Sequence, residues 1–208
     1  NSPLVDFGSE TIDRYDEEIA LTDKHLGPLL EALTAPGDRP TYVVITADHG
    51  EGFGEHGADP HARTLYREVT RVPLLFLGPD VEPRRVQESV GMHDIAPTWL
   101  DLAGQPIPEE MTARSQGRVL FGEPAPAQRL VFQENSYSRP RRDAKAVIRG
   151  PYHFILDVTN GSSELYNMET DPEEKQNLAG TGLEAERELR AAILDFLPTT
   201  HVPPNLSK

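Results

Sequence analysis

Residues 41–66 read TYVVITADHGEGFGEHGADPHARTLY. The opening six, TYVVIT, are β-rich and nearly continuously apolar between Pro40 and Asp48, the pattern of a strand covered on both faces. Behind that strand seven ionisable residues, Asp48, His49, Glu51, Glu55, His56, Asp59 and His61, fall within fourteen positions of a glycine-punctuated loop. Ligand sites in open α/β sheets lie beyond the carboxyl ends of the strands, where this loop begins. A carboxylate oxygen beside an imidazole nitrogen suits a divalent metal, and glycines let the backbone bend sharply enough for both to face it. An isolated Asp-His pair reads more simply as a loop cap and a packed histidine. The density of ionisable groups directly after an apolar strand favours the metal, although two adjacent ligands cannot close a site alone.

Working outward, VPLLFL at 72–77 is a second apolar run. A strand, a loop with a short helical stretch and another apolar strand predict a parallel pair in one sheet with helices against it. On the N-terminal side, Ile12, Tyr15, Ile19, Leu26, Leu29, Leu30 and Leu33 recur at mostly three- and four-residue steps, predicting an amphipathic helix over 11–33 stopped by Pro36 and Gly37. On the C-terminal side, Asp94 is positioned to cap a helix through IAPTWLDLAG, with Pro97 in its first turn and Gly104 at its end. Residues 105–129, rich in Pro, Gly and charge, read as a surface loop.

Four short strands follow: LVFQE at 130–134, AVIRG at 146–150, YHFILDV at 152–158 and SELYNM at 163–168. Asn160-Gly161 between the last two is a hairpin signal, so these strands should form a separate antiparallel sheet. A closing helix over 183–197 carries Leu189, Ile193, Phe196 and Leu197. The reading is an α/β part over residues 1–129 and a small antiparallel subdomain with a C-terminal helix over 130–208.

Composition narrows the function. The chain has 208 residues, enough for a sizeable core, and a net charge of −14, which disfavours a phosphate-backbone partner and hence nucleic acid. No apolar run approaches the ~18 residues of a membrane span. With no cysteine, disulfides, thiolate metal sites and cysteine nucleophiles are excluded from these residues. The first residues, NSPLVDFGSE, lack the basic start and apolar stretch of a signal peptide and read as the edge of something longer.

The run ADHGEGFGEHG, then His61 and TLYREVTRVPLLFLGP, closely resembles the sulfatase family within the alkaline phosphatase superfamily, whose second metal-binding motif has this form. VGMHDIAPTWLDLAG, ELYNMETDPEEKQNLAG and YDEEIALTDKHLGPLLEAL resemble further family segments, so the similarity covers roughly residues 12–180. It implies a partial alkaline-phosphatase-like three-layer α/β fold. It also implies that Asp48 and His49 are ligands of the catalytic cation, calcium in the leading reading with manganese or zinc as alternatives. Many sulfatases have Asn where His49 stands, whereas His is common in phosphonate hydrolases and phosphoethanolamine transferases; both substrate classes stay open.

His61 stands where relatives place a His or Lys that contacts the transferred sulfuryl or phosphoryl group or protonates the leaving oxygen. The usual His-Gly there is His61-Ala62 here. His56 is either a further contact around substrate and ligands or a structural histidine paired with Glu55 or Glu51. Arg63 and Arg71 read as solvated or paired with acids such as Glu68.

Two motifs mislead. Gly52, Gly54 and Gly57 spell GxGxxG, but Glu51, Glu55 and Asp59 would repel a pyrophosphate. Ser138-Arg139-Pro140-Arg141-Arg142 has the Ser-x-Pro-x-Arg form of the family's nucleophile motif, yet it follows Asp48 by ninety residues and lies between strands, so it reads as a basic surface loop. His25, His93 and His153 read as packing or surface residues.

Family members carry, in their N-terminal half, paired aspartates for the same metal and a nucleophile: formylglycine made from Cys or Ser in sulfatases, Thr or Ser in phosphoryl-transferring relatives. Neither is visible before Asp48. The resemblance therefore implies the C-terminal half of an enzyme, whose partner is the N-terminal half of the same protein and for which export is a fitting destination. The function it implies is metal-dependent hydrolysis of a sulfate ester, on a small molecule or a glycan. A phosphoryl or phosphonate ester hydrolase, or a phosphoethanolamine-type transferase, is the alternative. A non-catalytic binding domain is the third reading, opposed by the joint presence of Asp48, His49 and His61.

Overall fold

The computed structural model describes residues 5–35, 37, 40–57, 64–125, 129–138 and 141–197. Helix α1 spans Thr11–Thr34 and buries none of its residues; Ile12, Ile19, Leu29 and Leu33 face solvent. Its Tyr15 meets Phe53 edge to face with centroids 5.3 Å apart. Among the described residues no helix is long and apolar enough to cross a membrane.

The apolar runs form strands β1, Val43–Thr46, and β2, Leu74–Leu77. They pair antiparallel, Val43 opposite Leu77 and Thr46 opposite Leu74, where the sequence predicts a parallel pair. The chain leaves β1 after Thr46 and re-enters beside it at Leu74, and among the described residues α2, Arg67–Thr70, is the one helix on the way. A parallel pair needs a crossover that carries the chain back along the strand length. Apolar continuity reports coverage of the faces and says nothing of direction. Even that coverage is partial here, since both strands are half-buried and Leu75 is 49% exposed.

The second sheet is antiparallel and separate, in the order β3 (Val131–Ser138), β4 (Arg141–Arg149), β5 (Tyr152–Asp157) and β6 (Ser163–Asn167). Strands β3 and β4 are longer than the apolar pattern suggests and pair as far as Ser138 opposite Arg141. Of the Ser-x-Pro-x-Arg stretch, Ser138, Arg141 and Arg142 are strand residues, and Arg139 and Pro140 lie outside the described residues. At the β5–β6 turn Gly161 adopts φ 81°, a left-handed conformation that glycine takes without a Cβ clash, and its N–H donates to the Asp157 carbonyl at 2.7 Å.

This sheet is covered on both faces. Helix α5, Glu184–Phe196, lays Leu189 and Ile193 on Val147, Phe154, Leu156 and Leu165, continuing through Leu197 just past its end. Leu189, Ile193 and Leu197 recur every four residues and so share one side of the helix. The opposite face receives Leu65, packed with Ala144, Ala146, Ile155 and Tyr166. The segment just before α2 is therefore docked on the C-terminal sheet.

Helix α3 spans Ile95–Leu102 and α4 spans Gly117–Leu120. Asp94 precedes α3 but its side chain does not cap it. The carboxylate, 1% exposed, instead accepts the Gly91 and Arg114 N–H groups at 3.2 and 3.0 Å and forms a two-point pair with the Arg129 guanidinium. The stretch 105–129 is accordingly tied down at Gln116, Val119 and Arg129 instead of lying loose on the surface.

Candidate functional site

Asp48 and His49 follow β1 by two and three residues, outside any helix. Asp48 Oδ1 accepts the His49 backbone N–H at 3.1 Å, which turns the carboxylate towards its neighbour. His49 Nδ1 lies 2.8 Å from the Gly50 carbonyl oxygen. A carbonyl only accepts, so Nδ1 carries a proton and Nε2 is the nitrogen that takes up or gives away the second one. Nε2 is 3.8 Å from Asp48 Oδ2, with the two side chains 45% and 90% exposed. The Gly50 carbonyl first, and then the Asp48 and Glu51 carboxylates, raise the pKa of His49 above the ordinary histidine value. The field that favours a proton here also favours a cation, which would displace that proton on binding.

Behind the pair the backbone is clamped. The Gly50 N–H donates to the Val69 carbonyl at 2.7 Å, and a Cβ on Gly50 would stand 2.1 Å from the Glu68 carbonyl oxygen. Only glycine allows the loop to lie this close to α2. His56 stacks on Tyr66, with centroids 3.7 Å apart. Its Nδ1 lies 2.7 Å from Glu68 Oε1 and its Nε2 3.0 Å from the Glu174 carbonyl oxygen. Both ring nitrogens thus face acceptors. Burial pulls the His56 pKa down, but the Glu68 carboxylate and the Glu174 carbonyl outweigh it and raise the pKa overall. The anticipated pairing with Glu51 or Glu55 is replaced by Glu68, twelve residues on.

Tyr66 and Tyr166 both donate to Glu164 Oε2, at 2.7 and 2.8 Å. Burial, then that carboxylate, push the Tyr166 pKa far up, so the phenol stays a donor. Glu174 completes the arrangement. It is 1% exposed, accepts the Arg67 N–H at Oε2 over 2.8 Å and places Oε1 2.5 Å from His153 Nδ1.

The structure thus places Asp48 beside His49 and turns His56 towards the C-terminal sheet. His61 and Arg63 lie outside the described residues. Among the described residues no group of three or more His, Asp or Glu side chains could hold a metal. Gly52, Gly54 and Gly57 lie in loop, bend and turn with no helix or strand among them. Sequence reading missed Glu174, Glu164 and Tyr66, although Glu174 sits inside ELYNMETDPEEKQNLAG, whose resemblance to a family signature was the available signal.

A family model described as Sulfatase matches residues 5–105. A Delta 4,5-hexuronate-2-O-sulfatase of Bacteroides thetaiotaomicron is 32% identical over 179 residues, 81% of this chain and 37% of that protein. The solved structure of a 2-O GAG sulfatase superposes with a TM-score of 0.66 at 30% identity, over 75% of this chain and 36% of the other. A second, solved with its substrate D-glucosamine-2-N,6-O-disulfate, gives 0.69 at 24% identity over 92% of this chain and 43% of the other, a likeness of fold alone. The chain spans little more than a third of the length of the curated relative. Motifs, alkaline-phosphatase-like fold and relatives agree: residues 5–105 match the sulfatase family, and the relatives of the chain as a whole are sulfatases.

Proposed function

We propose that the protein of which these residues form a part hydrolyses sulfate esters carried by a sulfated sugar. The observation that carries this reading is the Asp48–His49 pair, held side by side past β1 with Nε2 turned towards the carboxylate in a field that favours positive charge. The substrate class is taken from the relatives, which include enzymes named for hexuronate and N-acetylglucosamine sulfates.

In this reading Asp48 and His49 supply two ligands of a divalent cation, calcium in the first instance. Bound there, the cation would neutralise the anionic ester oxygens. His61 donates its proton to the leaving ester oxygen as the nucleophile's oxygen bonds to sulfur and the ester sulfur–oxygen bond breaks, and His56 holds the loop from behind. Residues 1–129 form the catalytic part and 130–208 the sheet that braces it. The N-terminal half of the same protein contributes the remaining ligands and the formylglycine nucleophile. It also covers Leu75 and the apolar stripe of α1, which the described residues leave exposed.

The test is an assay of the whole protein and of residues 1–208 alone, with an aryl sulfate and an aryl phosphate, with and without calcium, beside D48N and H61A. The expected result is calcium-dependent sulfate release by the whole protein, lost in both variants, and none by the shorter chain. Preference for the phosphate points to the phosphoryl-transferring alternative. A whole protein inactive on both esters points to a binding domain.

A further inference from the structure

We propose that Glu174 is a positioning residue for the Asp48–His49 pair, acting from the C-terminal subdomain through the backbone of α2. The inference rests on the reading of that pair as the catalytic metal ligands. Glu174 is a buried acid with φ 54°, a left-handed conformation that a side chain with a Cβ adopts only under strain. The turn that imposes it is built by its own neighbours. Asp171 accepts the Lys175 and Gln176 N–H groups at 3.1 and 2.8 Å, and Asn177 Oδ1 accepts those of Leu165 and Ala179 at 3.0 and 2.8 Å. Strain held in place this way commonly marks a residue whose direction matters.

The direction is informative. Oε1 meets His153 on β5, whose Nε2 is 3.2 Å from Gln133 Oε1 on β3, so the carboxylate is anchored to two strands of the sheet. Oε2 accepts the N–H of Arg67, the first residue of α2, and the Glu174 carbonyl faces His56. Two residues beyond Arg67, the Val69 carbonyl holds the Gly50 N–H, and Gly50 directly follows His49. One side chain therefore links a rigid sheet to the turn that sets the two candidate ligands, without reaching the site itself.

A purely structural role would stabilise the protein as a whole. A positioning role predicts a local effect, and Arg67 separates the two. As the first helical residue it tolerates proline, and Tyr66 before it, at φ −67° and ψ 160°, already has the extended conformation a following proline requires. R67P removes both the N–H and the side chain, while R67A removes the side chain alone. Their difference isolates the bond to Glu174.

The experiment measures amide hydrogen exchange and calcium affinity in the whole protein for wild type, R67A, R67P, E174A, E174Q and D48N. The expected result is Gly50 exchange about tenfold faster in R67P than in R67A, with β5 amides unchanged and calcium affinity reduced alongside. E174A should match R67P at Gly50 but also loosen β5, because it strands His153, whereas R67P leaves that contact in place and carries the comparison. E174Q, which keeps an oxygen for the Arg67 N–H, should restore most of the protection. Equal Gly50 exchange in R67P and R67A, or loosening of β5 in R67P equal to that at Gly50, overturns the proposal. So does unchanged calcium affinity in R67P when D48N abolishes it. If D48N binds calcium like the wild type, the metal reading fails by itself, and Gly50 exchange still decides whether Glu174 positions the pair.

Discussion

Glu174 Oε1 and His153 Nδ1 lie 2.5 Å apart with both side chains withdrawn from solvent, and this contact joins the loop after β6 to the centre of the C-terminal sheet. Breaking a buried pair of this kind by removing one partner strands the other group, at a cost of about 3–5 kcal/mol. His153→Ala should therefore lower the unfolding free energy by that order, read by urea denaturation. A loss below about 1 kcal/mol would mean that the carboxylate finds water or another donor.

Asp94 gives the acid limb of stability. Burial raises its pKa, but the Arg129 hydrogen bonds and the Arg114 N–H outweigh burial and hold it below the ordinary carboxylate value. A carboxylate depressed in the folded state stabilises above its unfolded pKa of about 4, and that stability is lost as pH falls through the lower folded value. D94N should flatten the melting temperature between about pH 5 and pH 2 and lower it at neutral pH, where Arg129 is left without its carboxylate partner. A wild-type acid limb that survives in D94N would assign it to other groups.

His56 works in the opposite sense. Its raised pKa means that its stabilisation is complete below the unfolded value of about 6.5 and fades as pH rises through the folded value. The groups facing it are the Glu68 carboxylate, the Glu174 carbonyl and the stacked Tyr66 ring. NMR titration of the His56 ring should give a midpoint above 6.5, and E68Q should lower it. A midpoint at or below 6.5 would show that burial wins.

Asp48→Asn should barely change stability, within about 0.5 kcal/mol, because the side chain is 90% exposed. In the whole protein it should cost at least the ten- to hundredfold in calcium affinity that changes behind a metal site typically cost. Isothermal titration with calcium, beside thermal melting of the same sample, checks both parts. Equal calcium affinity in the two proteins would remove Asp48 from the site.

Leu189→Ala should destabilise by about 2–5 kcal/mol, because Leu189 is wholly buried between α5 and β4–β5 and a cavity would remain. Urea unfolding measures this. A smaller loss would show that α5 collapses onto the sheet.

Local patterns carried much of this protein. Helix α5, strands β5 and β6, the Asn160-Gly161 turn and the Asp48–His49 pair past β1 were legible because each follows from periodicity, turn chemistry or adjacency within a few residues. The direction of β2 was not, because an apolar run encodes coverage and HFIL of β5 is buried on both faces within an antiparallel sheet. Partners far apart in the chain were equally hidden. His56 with Glu174, Arg67 with Glu174, Tyr66 with Glu164 and Asp94 with Arg129 are separated by 118, 107, 98 and 35 residues. A side chain's type states which bonds it can make. Which partner satisfies it is decided only when packing excludes water and leaves one donor or acceptor within reach.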